Sequence, residues 1–133
     1  MWFRVEPRLP KPVYQQVVDG IKESIAKGLI GPGEKLPSVR DLALEMTLNP
    51  NTVAKAYREL EHARVIEVVR GRGTYAAGPG PIPDREERMV RMRDTVRELI
   101  VDAHYLQLKD EELMTFIQDA LQTWKDERGG DAL

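Results

Sequence analysis

Asn51, Thr52 and Lys55 fall within one arc of a helix that opens at Asn49 and Pro50, and Arg70 and Arg72 flank Gly71 in a glycine-rich turn. Asparagine can make paired hydrogen bonds to adenine, threonine can bond a base or a phosphate, and lysine can reach guanine or a phosphate. Arginines at the tip of a turn supply charge for a nucleic-acid backbone. Any one of these residues is ordinary on a solvated surface. The weight comes from their place behind two short helices joined by a tight turn, because that arrangement puts the start of the second helix into a DNA major groove.

Other chemistry is poorly served. The loop "GLIGPGEKL" (28–36) has the glycines of a phosphate-binding loop, but Glu34 interrupts the motif and Leu36 stands where its hydroxyl is needed. Gly71 and Gly73 precede a strand rather than a helix N-terminus, so they do not cradle a nucleotide either. His62 and His104 each lack a second histidine three or four residues away, so no metal site is expected. There is no cysteine, which excludes a disulfide scaffold, thiolate ligands and a thiol nucleophile. The carboxylates of "DREER" and "KDEEL" read as solvated helix starts. No catalytic constellation emerges, so neither enzyme activity nor a cofactor is expected.

The elements that must position the polar face follow from periodicity. Val13, Val17, Ile21 and Ile25 recur every four residues before Gly28, which marks a first amphipathic helix. A loop spans 29–37. Ser38 then caps a short second helix with Val39, Leu42, Ala43 and Met46 inside, and Asp41 near its positive end. Asn49 as N-cap and Pro50 at the first position start a third helix, with Val53, Ala56, Tyr57 and Leu60 inward. "VIEVV", an Arg-Gly-Arg-Gly turn and "TYAA" then alternate as a β-hairpin.

"GPGPIPD" (78–84) admits neither helix nor strand and reads as a stiff linker. Beyond it, Met89, Met92, Val96, Leu99, Ala103 and Leu106 step by three and four along one helix. A final helix, about 110–127, puts Leu113, Ile117, Ala120, Leu121 and Trp124 on one face, with Asp110 expected to cap it in place of Lys109. Two such helices cannot hide both apolar faces on each other, and pairing with a second copy is the favoured outcome over packing on the first half. The expected fold class is mainly α with a small β-hairpin. The domains would be a winged helix-turn-helix over 1–77, a linker over 78–84 and a helical dimerisation tail over 85–133.

The 133 residues carry a formal net charge of −2, which conceals an asymmetry. Residues 1–78 hold 12 Lys/Arg against 9 Asp/Glu, and residues 79–133 hold 8 against 13. The first part suits a polyanion; the second does not. No apolar run approaches the ~20 residues that span a bilayer and no leader pattern opens the chain, so a cytoplasmic protein with no membrane partner is expected.

Five motifs in order sharpen this reading. They are Tyr14-Gln15-Gln16, the run from Pro32 to Ser38, Arg40-Asp41-Leu42-Ala43, Asn51-Thr52-Val53, and Gly71-Arg72-Gly73-Thr74-Tyr75. From about Pro12 to Ala76 the chain resembles the winged-helix domain of GntR-family transcription regulators, and its short tail resembles that of the YtrA subfamily. The resemblance implies a dimeric, sequence-specific regulator, most readily a repressor of a transport-related operon acting on a palindromic DNA operator. It places DNA contacts at Arg40, Asn49, Asn51, Thr52, Arg70, Gly71 and Arg72; Lys55 joins them from its facing. Pro50 departs from the pattern, standing where many relatives carry a base-reading Arg or another polar residue. The competing reading is a small effector-sensing or protein-interaction module, and the sequence names no effector.

Overall fold

A computed structural model describes residues 2–132; the expected domain limits at Met1 and Leu133 lie outside them. In chain order the elements are α1 (Val13–Ala26), β1 (Lys35–Leu36), α2 (Val39–Met46), α3 (Pro50–His62), β2 (Ile66–Val69), β3 (Gly73–Ala76), α4 (Arg85–Tyr105) and α5 (Asp110–Ala132). The chain divides into two compact units between Pro81 and Ile82, within the stretch 77–84 that forms neither helix nor strand.

The first unit is built on the periodicity of its helices. Val17, Val18 and Ile21 of α1, Leu42 and Ala43 of α2, and Val53, Ala56, Tyr57 and Leu60 of α3 close on one buried cluster with Leu36, Ile66 and Ala76 of the sheet. The starts of α2 and α3 are secured locally: the Ser38 hydroxyl accepts the Asp41 N–H at 3.0 Å, and Asn49 Oδ1 accepts the Asn51 N–H at 2.8 Å. These bonds satisfy N–H groups that the helices leave unpaired.

Between α2 and α3 the chain reverses at Thr47, whose φ of 55° and ψ of 51° are left-handed. The turn closes with the Leu48 N–H on the Ala43 carbonyl at 2.8 Å. A β-branched residue is strained in that conformation, and glycine is not. Thr47→Gly is therefore expected to raise stability by about 0.5–1 kcal/mol, net of the glycine's extra freedom when unfolded, read as a higher urea midpoint. An unchanged or lower midpoint would show that interactions of the threonine side chain outweigh its strain.

A segment preceding α1 packs back on it. Gln16 is buried and clamps that segment with its carboxamide, accepting the Glu6 N–H at 2.7 Å and donating to the carbonyls of Glu6 (2.8 Å) and Lys11 (2.9 Å). The Phe3 ring fills the space beside Gly20, where an added Cβ would overlap Phe3 Cδ2. At the same end Asp19 takes hydrogen bonds from Lys11 (2.7 Å) and Gln15 (3.0 Å). Desolvation opposes ionisation of this carboxyl, but those bonds and the charges of Lys11 and Lys22 outweigh it and hold its pKa below the usual value.

The sheet departs from expectation in three ways. The loop over 29–37 contains β1, so the hairpin is part of a three-stranded antiparallel sheet in the order β1-β3-β2. Lys35 pairs with Tyr75 and Leu36 with Thr74, and the ladder is extended by Gly33 N–H to Ala76 O and Ala76 N–H to Glu34 O, both 2.9 Å. A two-residue strand has no alternation to read; it exists because β3 offers it a free edge. In addition, β2 begins at Ile66 rather than Val65, and Gly73 belongs to β3 rather than to the turn.

In the second unit α4 ends at Tyr105; beyond it Gln107 takes a φ of 58°, and the Leu108 N–H closes back on the Ala103 carbonyl at 3.0 Å. Asp110 does not cap α5; it lies inside the helix, and Glu112 Oε1 reaches back to the Lys109 N–H at 2.9 Å as half of a capping box. α5 also runs past residue 127 through Gly129 and Gly130. Each glycine costs about 1 kcal/mol of helix propensity without removing an N–H, so the hydrogen-bond ladder continues. Among the described residues α4 and α5 are not packed along their lengths.

Candidate nucleic-acid interface

α3 carries the candidate reading face. Its inner positions are sealed in the core, which turns Asn51, Lys55 and Arg58 to solvent and leaves Thr52 half-buried. The helix is locked to the element before it by Tyr57, whose hydroxyl donates to the Pro37 carbonyl at 2.7 Å. Burial, with the Asp41 and Glu45 carboxylates nearby, pushes this hydroxyl well above the ordinary tyrosine pKa. It therefore stays a neutral donor, and the start of α2, where Arg40 stands exposed, is held to the middle of α3.

Asn49 is exposed; its Oδ1 is engaged in the cap, and its amide nitrogen can donate to an outside partner. Pro50 has no N–H and occupies the first helical position. Lys55 is not an isolated surface lysine: its Nζ sits 3.9 Å from the centroid of the Tyr14 ring on α1.

The wing is the β2–β3 connection. The Arg72 N–H closes a four-residue turn on the Val69 carbonyl at 2.9 Å, and Gly71 takes φ of 80° at the third position. That position needs a positive φ, which glycine adopts without a steric cost. The Tyr75 hydroxyl donates to the Arg72 carbonyl at 3.3 Å and ties the turn to β3. Arg70, Gly71 and Arg72 are all exposed.

Sequence reasoning missed Lys35. Because β1 joins the sheet, the Lys35 stem crosses Gly73, where a Cβ would meet its Cε at 2.9 Å. Gly73 has φ of 133°, so it serves both the backbone and the passage of this side chain. The grouping of Lys35 on β1 with Arg70 and Arg72 in the β2–β3 turn of the same sheet was hidden because Lys35 is more than thirty residues from the arginines in sequence. None of Arg40, Lys35, Arg70 and Arg72 is engaged in an ion pair among the described residues. Their charge is uncommitted.

In the tail, Ala103 is buried, Met89, Leu99, Leu113 and Trp124 are half-buried, and Met92, Val96, Leu106, Ile117 and Leu121 are exposed. Apolar exposure extends further than the expected seam, to Val90, Ile100, Val101, Met114 and Phe116. The three-and-four spacing selects a single stripe, whereas these residues widen it on both helices. Among the described residues no helix is long and apolar enough to cross a membrane.

Three helices around a buried cluster, a short helix pair joined by a tight turn and a cationic β-wing define a winged helix-turn-helix, a DNA-binding class of fold. Residues 13–76 match the family model described as bacterial regulatory proteins, gntR family. Over 117 residues the chain is 42% identical to the HTH-type transcriptional repressor YtrA of Bacillus subtilis (strain 168), covering 88% of this chain and 90% of that one. The chain belongs to the GntR family of transcription regulators, and within it to the YtrA subfamily.

Solved structures agree. A protein described as a transcriptional antiterminator from Listeria monocytogenes EGD-e superimposes with a TM-score of 0.84 at 35% identity, over 93% of this chain and 92% of that one. The DNA-binding domain of AraR, solved in complex with the operator ORX1, matches with a TM-score of 0.52 at 28% identity, over 58% of this chain and 99% of that one.

Proposed function

We propose that the chain is a homodimeric repressor that binds a palindromic operator, with α3 in the major groove and the wing against the backbone. The observation that carries this reading is the joint placement of Asn51, Thr52 and Lys55 on the outer face of α3, of Arg70 and Arg72 on the wing and of Lys35 on the adjoining strand β1, none of these three cations ion-paired among the described residues, on a fold shared with an operator-bound domain. Asn51 and Thr52 read base edges. Arg40, Lys35, Arg70 and Arg72 neutralise phosphates, Gly71 lets the backbone approach, and Asn49 donates through its amide nitrogen.

The tail supplies the second head. A dimer with twofold symmetry selects half-sites about one helical turn, or a multiple of it, apart. The regulator acts in the cytoplasm and represses a transport-related operon, a reading supported by the subfamily alone. Selection from a randomised duplex library tests the core of the proposal. The expected product is a palindromic consensus; an asymmetric consensus, or none, would overturn the dimeric operator reading.

Phosphate neutralisation has its own signature. Arg40→Ala and Arg72→Ala are each expected to weaken binding and to flatten the dependence of log K on log salt by about 0.9 for each phosphate left without its cation. Slopes that match the unmodified protein in both variants would place the interface elsewhere.

A further inference from the structure

Lys55 stands on the second turn of α3, solvent-exposed, yet its ammonium lies 3.9 Å from the centroid of the Tyr14 ring. Tyr14 is the second residue of α1, half-buried and packed on the hydrophobic core, so the ring is a fixed platform rather than a mobile one. A free lysine stem samples many rotamers, and an exposed cation over an aromatic face is favoured by a factor of about two to five. The direction matters more than the size: the stem leans off α3 toward α1.

We propose that Tyr14 is a positioning residue for the recognition helix, holding the Lys55 ammonium at the lip of the groove so that it meets a backbone phosphate instead of a base edge. This rests on the DNA-binding reading above. A lysine reaching guanine has to extend from the helix into the groove floor. One bent onto a neighbouring helix lies across the groove wall, where phosphates run. Tyr14 thereby removes one base-reading side chain from α3 and leaves sequence discrimination to Asn51 and Thr52. It also spares Lys55 part of the ordering cost of binding, because the ammonium is already placed.

The test uses the full-length chain with Tyr14→Phe, Tyr14→Leu, Lys55→Met and the Tyr14→Leu/Lys55→Met pair. Phenylalanine keeps the ring face; leucine removes it. In the protein without DNA, the Lys55 ε-methylene resonances should be shifted upfield by the ring in the unmodified chain and in Tyr14→Phe, and should return to ordinary lysine values in Tyr14→Leu. Affinity should fall about two- to five-fold in Tyr14→Leu, equally for the selected operator and for a scrambled duplex. Lys55→Met should flatten the salt slope by about 0.9, and adding Tyr14→Leu to it should cost nothing more.

Unshifted ε-methylene resonances in the unmodified chain would overturn the ring contact. A shift that is present, together with additive losses in the pair or a Lys55→Met loss confined to one base pair, would overturn the positioning role while leaving DNA binding standing. An unmodified chain that retains no duplex at low salt would remove the DNA-binding reading and this inference with it. Tyr14→Phe, with its ring intact, separates these outcomes from a general loss of folding.

Discussion

A chain carrying Val96→Glu and Ile117→Glu is expected to sediment as a monomer and to lose roughly 10²–10⁴-fold in affinity for an operator with two half-sites. Both side chains are already substantially exposed in the single chain, 46% and 36%, so the exchange does not open a core. Glutamate is a better helix former than either β-branched residue, which leaves α4 and α5 intact. Against a partner helix, however, each glutamate would be a buried and unpaired charge, whose removal from water costs several kcal/mol.

The loss of affinity follows because one head held on DNA makes the second head's binding intramolecular, and a monomer has no second head. Sedimentation equilibrium and titration on duplexes with one and with two half-sites check this together. The unmodified chain should prefer two half-sites strongly, and the variant should treat both duplexes alike. A variant that remains dimeric, or a monomer that keeps its preference for two half-sites, would remove the tail from the dimer interface.

Leu60→Ala is the second large effect, a loss of about 2–5 kcal/mol in unfolding free energy. Leu60 is 0% exposed, and its carbonyl takes the Val65 N–H at 2.9 Å where the chain leaves α3 for β2. The cavity left by the missing side chain would open at the base of α3, where it meets the sheet that carries the wing. Small domains hold only about 5–15 kcal/mol in total, so DNA binding should become temperature-sensitive as well as weaker. Leu44→Ala on α2 is the control: that side chain is 75% exposed, and its removal should change stability by no more than about 0.5 kcal/mol. Urea titrations followed by helix signal measure both, and equal midpoints for the two variants would contradict the assignment of the core.

α3 illustrates how much a sequence states openly. Val53, Ala56, Tyr57 and Leu60 repeat at the helical period, so their burial, and the outward turn of Asn51 and Lys55, follow from geometry alone. Ser38 and Asn49 announce the helix starts because a cap acts within three residues. Gly71 announces the turn because only certain backbones need it. All of these are interactions between near neighbours, and near neighbours are visible in the chain.

Other features were visible only as unexplained residues. Gln16 could be seen as part of a motif, but its three hydrogen bonds run five and ten residues away to a segment with no periodicity. Lys109 could be seen to be a poor cap, while the side chain that compensates is Glu112 rather than Asp110. The wider apolar surface of the tail escaped because a heptad seam ranks one stripe and discards its flanks, Ile100 and Phe116 among them.

By itself the sequence determined the order of helices, the inner faces of α1 to α3, the caps of α2 and α3 and the place of the wing turn, since each depends on residues within a turn or two of one another. Only the tertiary structure decided that β1 exists, that Lys35 lies across Gly73 beside the wing arginines, and that Lys55 rests on Tyr14. Those pairings join residues roughly forty apart, and nothing in local propensity or period encodes a pairing at that separation. Folding brings them together because burying the shared cluster of α1, α2, α3 and the sheet sets these side chains side by side.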